Sequence, residues 1–413
     1  MRIAFVCQFF VPEIGAPSAR GSELCREWVR QGHEVTVITG LPNHPTGIVA
    51  PEYRGTIFRR ETLDGMTVFR NWLYATPNEG FVKRTLSHLS FMVSSMILTT
   101  PRLQGYDVIV VSSPAFFAVI AAWFMSRVRR IPYVFEVRDL WPGIFIELGV
   151  LKNRTIIRVL ESIEMFLYRQ AAKVVVVTQS FREILIRRGL SEEHVATITN
   201  GVDVDAFRPG PRENDIRHTW DLTDKFVVLY IGAHGISQAL SAILDTAHAL
   251  KADPDVTFVF VGEGAEKKML MEKAARMELP NVRFLPGQPK QAMASWYAAA
   301  DVVLVPLRNI PLFETFIPSK MFEIMACGRP IVGSVKGEAR DILERSQGAL
   351  VVDPEDSAAI ARAIQSLLQA PELAHRLGEA GNRFVRDNYD RRVLARLYLD
   401  LLSTIVARRE LTT

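Results

Sequence analysis

The sequence predicts an α/β fold of two doubly wound units, and three observations carry that expectation. The chain has 413 residues, more than one hydrophobic core usually serves, which favours two domains of about 200 residues each. Short β-branched runs alternate with longer helical segments along its whole length, the rhythm of parallel strands joined by crossover helices. Near the middle, Thr199-Asn200-Gly201-Val202-Asp203 and Phe207-Arg208-Pro209-Gly210-Pro211 break both periodicities, which places a linker at roughly residues 200–215.

Taken in order, the first half predicts strands near Ile3–Cys7, Glu34–Thr39, Val108–Val111, Tyr133–Val137 and Val174–Thr178, with helices near 17–31, 85–99, 115–128 and 155–170. The run Ile3 to Val11 is interrupted by Gln8 and stopped by Pro12-Glu13, so it reads as a first strand and not as a signal peptide. The second half predicts strands near Phe226–Ile231, Thr257–Val261, Val282–Leu285, Val302–Val305, Pro330–Val332 and Ala349–Val351. A helical pattern runs from about residue 372, and Arg392 to Ala407 carries enough apolar residues to pack back on the first domain. The expected domains are Rossmann-like units at 1–200, joined by the helix of about 390–413, and at 210–385.

An apolar fraction of 48% and a charged fraction of 23% exclude a disordered chain. Residues 1–200 hold 23 Lys/Arg against 17 Asp/Glu and the remainder 26 against 28, so the first half is basic by 6 and the second acidic by 2. That asymmetry is too mild and dispersed for a nucleic-acid groove and fits an anionic membrane surface better. Cys7, Cys25 and Cys327 match no zinc or redox spacing, and an odd count speaks against a disulfide framework. A reducing cytoplasm is the simplest expectation.

In doubly wound sheets ligands collect beyond the carboxyl ends of the strands, so the residues after each strand are the candidates. Gly15 precedes a helix that starts near Ser18; its N–H would approach a phosphate there, or Gly15 is a plain turn. The three spaced glycines of a dinucleotide fingerprint are missing, which counts against a nicotinamide enzyme. Gly232-Ala233-His234-Gly235 offers a second set of N–H donors, or a strand-to-helix turn. Pro318 opens a helix that Gly328 closes, and on it Lys320 and Glu323 stand three apart, either as a local ion pair or, in so apolar a segment, as ligand contacts. Arg138-Asp139 follows a buried strand, where Asp139 would orient an acceptor hydroxyl, act as a base, or merely pair with Arg138 at the surface or cap a helix before Leu140.

Asp203-Val204-Asp205 matches a metal-holding triplet by letter only, since no other carboxylates stand ready to complete an oxygen shell. The eight histidines lack the spacing of a zinc helix. Around Leu89 to Val93 and Phe116 to Met125, apolar helices are edged by Lys83, Arg84, Arg102, Arg127, Arg129 and Arg130. Such edges suit a membrane surface, or the segments are ordinary crossover helices; neither reaches the ~20 apolar residues of a spanning helix.

Together, Pro12-Glu13, Gly15-Ala16-Pro17, Arg20, Gly32-His33-Glu34-Val35-Thr36-Val37, Pro42-Asn43-His44-Pro45 and Arg138-Asp139-Leu140-Trp141-Pro142 form a specific conjunction. So do Asn200-Gly201-Val202-Asp203, Gly235, Pro318-Ser319-Lys320, Phe322-Glu323 and Gly337-Glu338-Ala339. Over nearly its whole length the chain resembles retaining glycosyltransferases of family 4 with the GT-B fold, in which two Rossmann-like domains face across a cleft. Within them it is most similar to bacterial O-antigen and capsule amino-sugar (L-fucosamine-type) transferases.

The resemblance implies transfer of a sugar, an N-acetylated amino sugar, from a UDP-sugar to a polyprenyl-diphosphate-linked glycan, with no metal or other cofactor, at the inner face of the cytoplasmic membrane. It places the acceptor on the first domain, at Arg138, Asn43 and His44, and the donor on the second. Glu323 would bind the ribose and Lys320 the diphosphate. The Gly15 loop would close on the distal phosphate, Gly287 would frame the base, and Gly232, His234, Gly235 and Pro318 would complete the donor site. Asp139, Lys320 and Arg308 are the expected catalytic residues. The family's first paired carboxylate, eight residues before Glu323, is Thr315 here, and Glu314 lies one residue off register. The usual basic pair after Gly235 is also missing, which leaves Lys320 and Arg308 to carry that charge. Competing expectations are a nucleotide-sugar epimerase or a phosphorylase on the same architecture, and a non-catalytic nucleotide-sugar-binding scaffold.

Overall fold

The computed structural model describes residues 1–410 apart from 14–15, 45, 77–80, 114–115, 142 and 144–151, so the Gly15 expectation lies outside the described residues. It divides into one unit of Met1–Thr199 with Arg392–Thr413 and a second of Asn200–Arg391.

In the first unit β1 (Arg2–Val6), β2 (Glu34–Gly40), β3 (Phe58–Leu63), β4 (Met66–Asn71), β5 (Val108–Ser112), β6 (Tyr133–Val137), β7 (Lys173–Val176) and β8 (Val195–Thr197) form one sheet. Its order is β3-β4-β2-β1-β5-β6-β7-β8, and only the β3/β4 pair is antiparallel. The central strands β5 and β6 are buried at every residue, as a parallel sheet covered on both faces requires. Three strands were not expected. The β3/β4 hairpin turns at Asp64-Gly65, both at positive φ (48° and 80°), the geometry of a two-residue hairpin loop.

The second unit holds β9 (Phe226–Ile231), β10 (Val256–Val261), β11 (Val282–Leu285), β12 (Val302–Pro306), β13 (Ile331–Ser334) and β14 (Ala349–Val352). All are parallel, in the order β11-β10-β9-β12-β13-β14. The winding direction reverses between β9 and β12 here, and between β1 and β5 in the first unit. At such a point the loops leave in opposite directions and open a crevice.

The helix Arg391–Glu410 returns to the first unit. Leu394, Ala395, Tyr398, Leu399 and Leu402 join Ile3, Phe5 and Trp28 in one core, and the Trp28 indole donates to the Ala395 carbonyl at 3.3 Å. No helix among the described residues is long and apolar enough to cross a membrane.

Candidate active site at the strand ends of each unit

In the second unit the crevice is built from glycines. Gly232, straight after β9, has φ of 144°, and a Cβ there would stand 2.5 Å from the Lys320 Nζ. Gly262, straight after β10, has φ of 149°, and its Cβ would meet the Gly232 carbonyl oxygen at 1.9 Å. A Cβ on Gly264 would reach the His234 carbonyl oxygen at 2.3 Å. The loops after β9 and β10 thus lie backbone against backbone, which only glycine permits.

Hydrogen bonds lock the same clasp. The N–H groups of Gly232 and His234 donate to the carbonyls of Val261 and Glu263, each at 2.9 Å, and Gly235 donates to the Gln238 side chain at 3.2 Å. The expectation that the amides of Gly232, His234 and Gly235 point free at a ligand is therefore corrected: they hold the loop. His234 is corrected in a second way, because its ring is fully buried near Tyr230, Phe260 and Phe284. Burial lowers its pKa to about 4, so the ring is neutral, and both of its nitrogens are buried without a hydrogen-bond partner.

Lys320 opens the short helix Lys320–Ala326. Its half-buried ammonium donates to the Ile231 carbonyl at 2.9 Å and lies 4.3 Å from the Tyr230 ring centroid, beneath the Gly232 turn. Burial lowers its pKa to about 8 against the opposing pull of the nearby Glu323 carboxylate. Glu323, one turn on, accepts the buried Tyr297 hydroxyl at 3.1 Å. Lys320 and Glu323 thus stand at a strand-end crevice, one bonded to a backbone carbonyl and the other to a tyrosine hydroxyl, the setting in which perturbed charges mark functional sites.

Around them, Arg308 after β12 has an exposed side chain, and its N–H donates to the Ser237 carbonyl at 2.8 Å, joining the β9 and β12 loops. Thr315 turns its hydroxyl back to the Leu312 carbonyl at 2.7 Å. Glu314 is exposed, and its backbone abuts Gly337, where a Cβ would come within 2.0 Å. Pro318 accepts the Met321 N–H at 3.0 Å, and Gly287 donates to Glu263 Oε1 at 3.2 Å. Glu263, which the sequence reading did not single out, also takes the Lys267 ammonium at 2.8 Å.

In the first unit the cluster centres on a residue the sequence reading missed. Glu136, on β6, is fully buried. Its Oε1 takes Arg20 at 2.7 Å and its Oε2 takes the Ser112 hydroxyl at 2.7 Å. Burial alone would raise its pKa, but the guanidiniums of Arg20 and Arg138 prevail and hold it below the ordinary value. A carboxylate inside the apolar run Tyr133-Val134-Phe135-Glu136-Val137 was the available signal, since a buried charge demands partners.

Arg138 and Asp139 follow. The Arg138 N–H donates to Ser113 Oγ at 2.8 Å, while its Nε is buried without a hydrogen-bond partner. Burial raises the Asp139 carboxyl above its ordinary value, with Arg138 opposing, so this half-buried group can accept a hydrogen bond or a proton. Buried Glu13 accepts the N–H groups of Phe10 at 3.0 Å and of Asn43 and His44 at 2.9 Å each, clasping the loops after β1 and β2. Asn43 donates its side-chain amide to the Leu41 carbonyl at 2.8 Å, and the exposed His44 ring lies 5.3 Å from Phe9. A cavity of about 380 Å³ opens there, lined by Glu13, Asn43, His44, Ile48 and Arg54. Asp203 instead caps its own turn, accepting the N–H groups of Asp205 and Ala206 at 3.0 Å each.

These strand-end clusters sit in two domains whose kinship is recorded. A family model described as "Glycosyl transferase 4-like domain" matches residues 15–201, and one described as "Glycosyl transferases group 1" matches residues 212–384. The chain is a family 4-type glycosyltransferase. This glycosyltransferase is 26% identical to a protein of Escherichia coli K12 named for colanic acid biosynthesis, the glycosyl transferase WcaI, over 88% of this chain and 91% of that one. It is 25% identical to a GDP-mannose-dependent alpha-mannosyltransferase of Mycobacterium tuberculosis, over 94% and 89% of the two chains.

Among solved structures it shares the GT-B fold of sucrose-phosphate synthase from Thermosynechococcus elongatus (TM-score 0.77, 20% identity, 98% of this chain and 99% of that one). It likewise shares that of HepE from Anabaena, solved in complex with UDP and glucose (TM-score 0.74, 19% identity, 98% and 99%).

Proposed function

We propose that this glycosyltransferase moves an N-acetylated amino sugar from a UDP-sugar to a polyprenyl-diphosphate-linked glycan, with retention of configuration and without a metal, in bacterial surface-polysaccharide synthesis at the inner face of the cytoplasmic membrane. The observation that carries the reading is the Lys320 ammonium, held 2.9 Å from the Ile231 carbonyl at the strand-end crevice of the second unit. Departure of a nucleotide diphosphate builds negative charge on the leaving oxygen, and a fixed cation there stabilises it without reorganisation. Arg308 would add charge from the β12 loop, Glu323 would accept the ribose hydroxyls, and Asp139 would orient the acceptor hydroxyl. Thr315 presents no carboxylate to the donor sugar, which suits a sugar bearing an acetamido group in place of a hydroxyl.

The name of WcaI supports surface-polysaccharide synthesis, and that of WbjE of Pseudomonas aeruginosa, 24% identical over 65% of this chain and 68% of that one, supports glycosyl transfer. HepE, solved with UDP-glucose, supports a UDP donor. The test is turnover of a UDP-sugar panel that includes N-acetylated 6-deoxy sugars, with GDP-mannose alongside, in the presence and absence of membrane lipid extract and of EDTA. Acceptor-dependent UDP release that survives EDTA is expected. Isomerised nucleotide sugar without acceptor would replace the reading with epimerase chemistry, and turnover of GDP-mannose alone would replace the UDP donor.

A further inference from the structure

The helix Phe81–Thr99 carries Leu86, Leu89, Val93 and Ile97 at spacings of three and four, one stripe of a helix surface. That stripe is uncovered: Leu86 and Val93 are each 48% exposed and Ile97 66%. With Trp72 and Tyr74, which extend β4, it walls a groove of about 630 Å³. The two serines in the groove are turned to backbone. Ser90 Oγ donates to the Ser87 carbonyl at 2.8 Å and accepts the Tyr74 N–H at 2.7 Å, and Ser94 Oγ donates to the Phe91 carbonyl at 3.1 Å. The groove thus offers a ligand apolar surface and almost nothing to hydrogen-bond. A recess of this volume, lined by apolar side chains, falls in the range of ligand-binding clefts.

Two further observations say what fits it. Residues 80–135 contain Lys83, Arg84, Arg102, Arg127, Arg129 and Arg130 against a single acid, Asp107. Lys83 and Arg84 are exposed one turn before Leu86, the Arg102 guanidinium bonds the carbonyl of the groove residue Leu98, and Arg129 donates to the Thr100 carbonyl at 2.6 Å. Cations therefore stand at both ends of the stripe. The same helix also bears His88, bonded to Gln8 at the end of β1, with its ring 6.3 Å from Phe9 and 6.4 Å from Phe117. Phe9 in turn lies 5.3 Å from the His44 ring. One helix thus links the apolar groove to the strand-end residues of the first unit.

We infer that this groove seats the hydrocarbon chain of a lipid diphosphate, with the chain along Leu86, Val93 and Ile97 and the anionic head toward the basic residues. The inference rests on the lipid-linked acceptor proposed above and adds the place where its chain binds. A recess walled by Trp72 and Tyr74 takes single chains, whereas a bilayer rests on a convex face.

The test titrates the full chain with farnesyl diphosphate, with inorganic diphosphate, and with vesicles of phosphatidylcholine and phosphatidylglycerol, reading tryptophan emission against a Trp72→Phe reference. UDP binding is measured on every sample. Farnesyl diphosphate is expected to give a saturable change that Trp72→Phe abolishes and inorganic diphosphate does not produce. Val93→Trp, which fills the groove from an exposed position, and Ile97→Ser should each weaken that binding at least tenfold with UDP binding unchanged. Equal affinity in both variants, or a response to vesicles only, overturns the inference. Failure of the unaltered protein to bind UDP would strike the donor reading instead, and the farnesyl diphosphate titration still decides the groove.

Discussion

Lys320 joins burial, hydrogen bonding and charge in one group. Its pKa of about 8, against 10.5 for a free lysine, means that the folded protein releases this proton where an unfolded chain still holds it. This group's contribution to stability therefore increases as pH rises from about 8 to 10.5, while its positive charge disappears. If that charge serves the leaving diphosphate, kcat/KM for the donor falls as pH rises through about 8. Lys320→Arg keeps the charge and should move that alkaline limb upward; a limb that stays in place would remove Lys320 from the proposal. At this scale the sequence singles out Lys320 and Glu323, which the structure places at the strand-end crevice, because a short helix of buried apolar residues isolates them. It misassigned the loop before them, since nothing local tells a histidine facing outward from one folded beneath Phe260 and Phe284. Glu136 was legible in principle as a charge in an apolar strand.

The loops after β9 and β10 act as one element because Gly232, Gly262 and Gly264 let them touch. Gly262→Ala puts a Cβ into the Gly232 carbonyl and an L side chain at φ 149°. A cost of about 1–3 kcal/mol in stability is expected from the backbone strain. UDP binding should weaken as well, because the turn over Lys320 must move. Calorimetric melting and UDP titration check both, and an unchanged melt would mean that the loops separate freely. Most strands could be read from apolar runs, which fully buried parallel strands require. β3 escaped because Phe58–Leu63 is half-exposed and largely polar. β4 escaped because Arg70 and Asn71 end it, both buried and hydrogen-bonded to Glu61 and to backbone carbonyls, with the Arg70 Nη1 left unpartnered. β8 is three residues long, too short for any periodicity to show.

The doubly wound α/β plan of the whole molecule follows from the alternation of apolar runs and helical stretches, and the apolar face of the final helix pointed it toward the first unit's core. Removing residues 392–413 would strip Leu394, Tyr398, Leu399 and Leu402 from that core. At about 1.5–3 kcal/mol for each fully buried side chain, the loss is comparable with the ~5–15 kcal/mol that holds an ordinary domain together. The shortened chain is expected to lose cooperative melting of the first unit and to expose Trp28, seen as a red shift in emission. If the second unit holds the UDP-sugar as proposed, UDP binding by Asn200–Arg391 should survive. Unaltered melting would show that the helix is dispensable.

Trp28 is made 367 residues ahead of its Ala395 partner. At about 5–20 residues per second of synthesis, the ribosome leaves the Trp28 side of the first sheet open for tens of seconds while the entire second unit emerges. Apolar surface left open in a half-made chain is prone to aggregate, so the nascent first unit should need protection more than the second. The first domain, in this architecture, closes only after the second has been made.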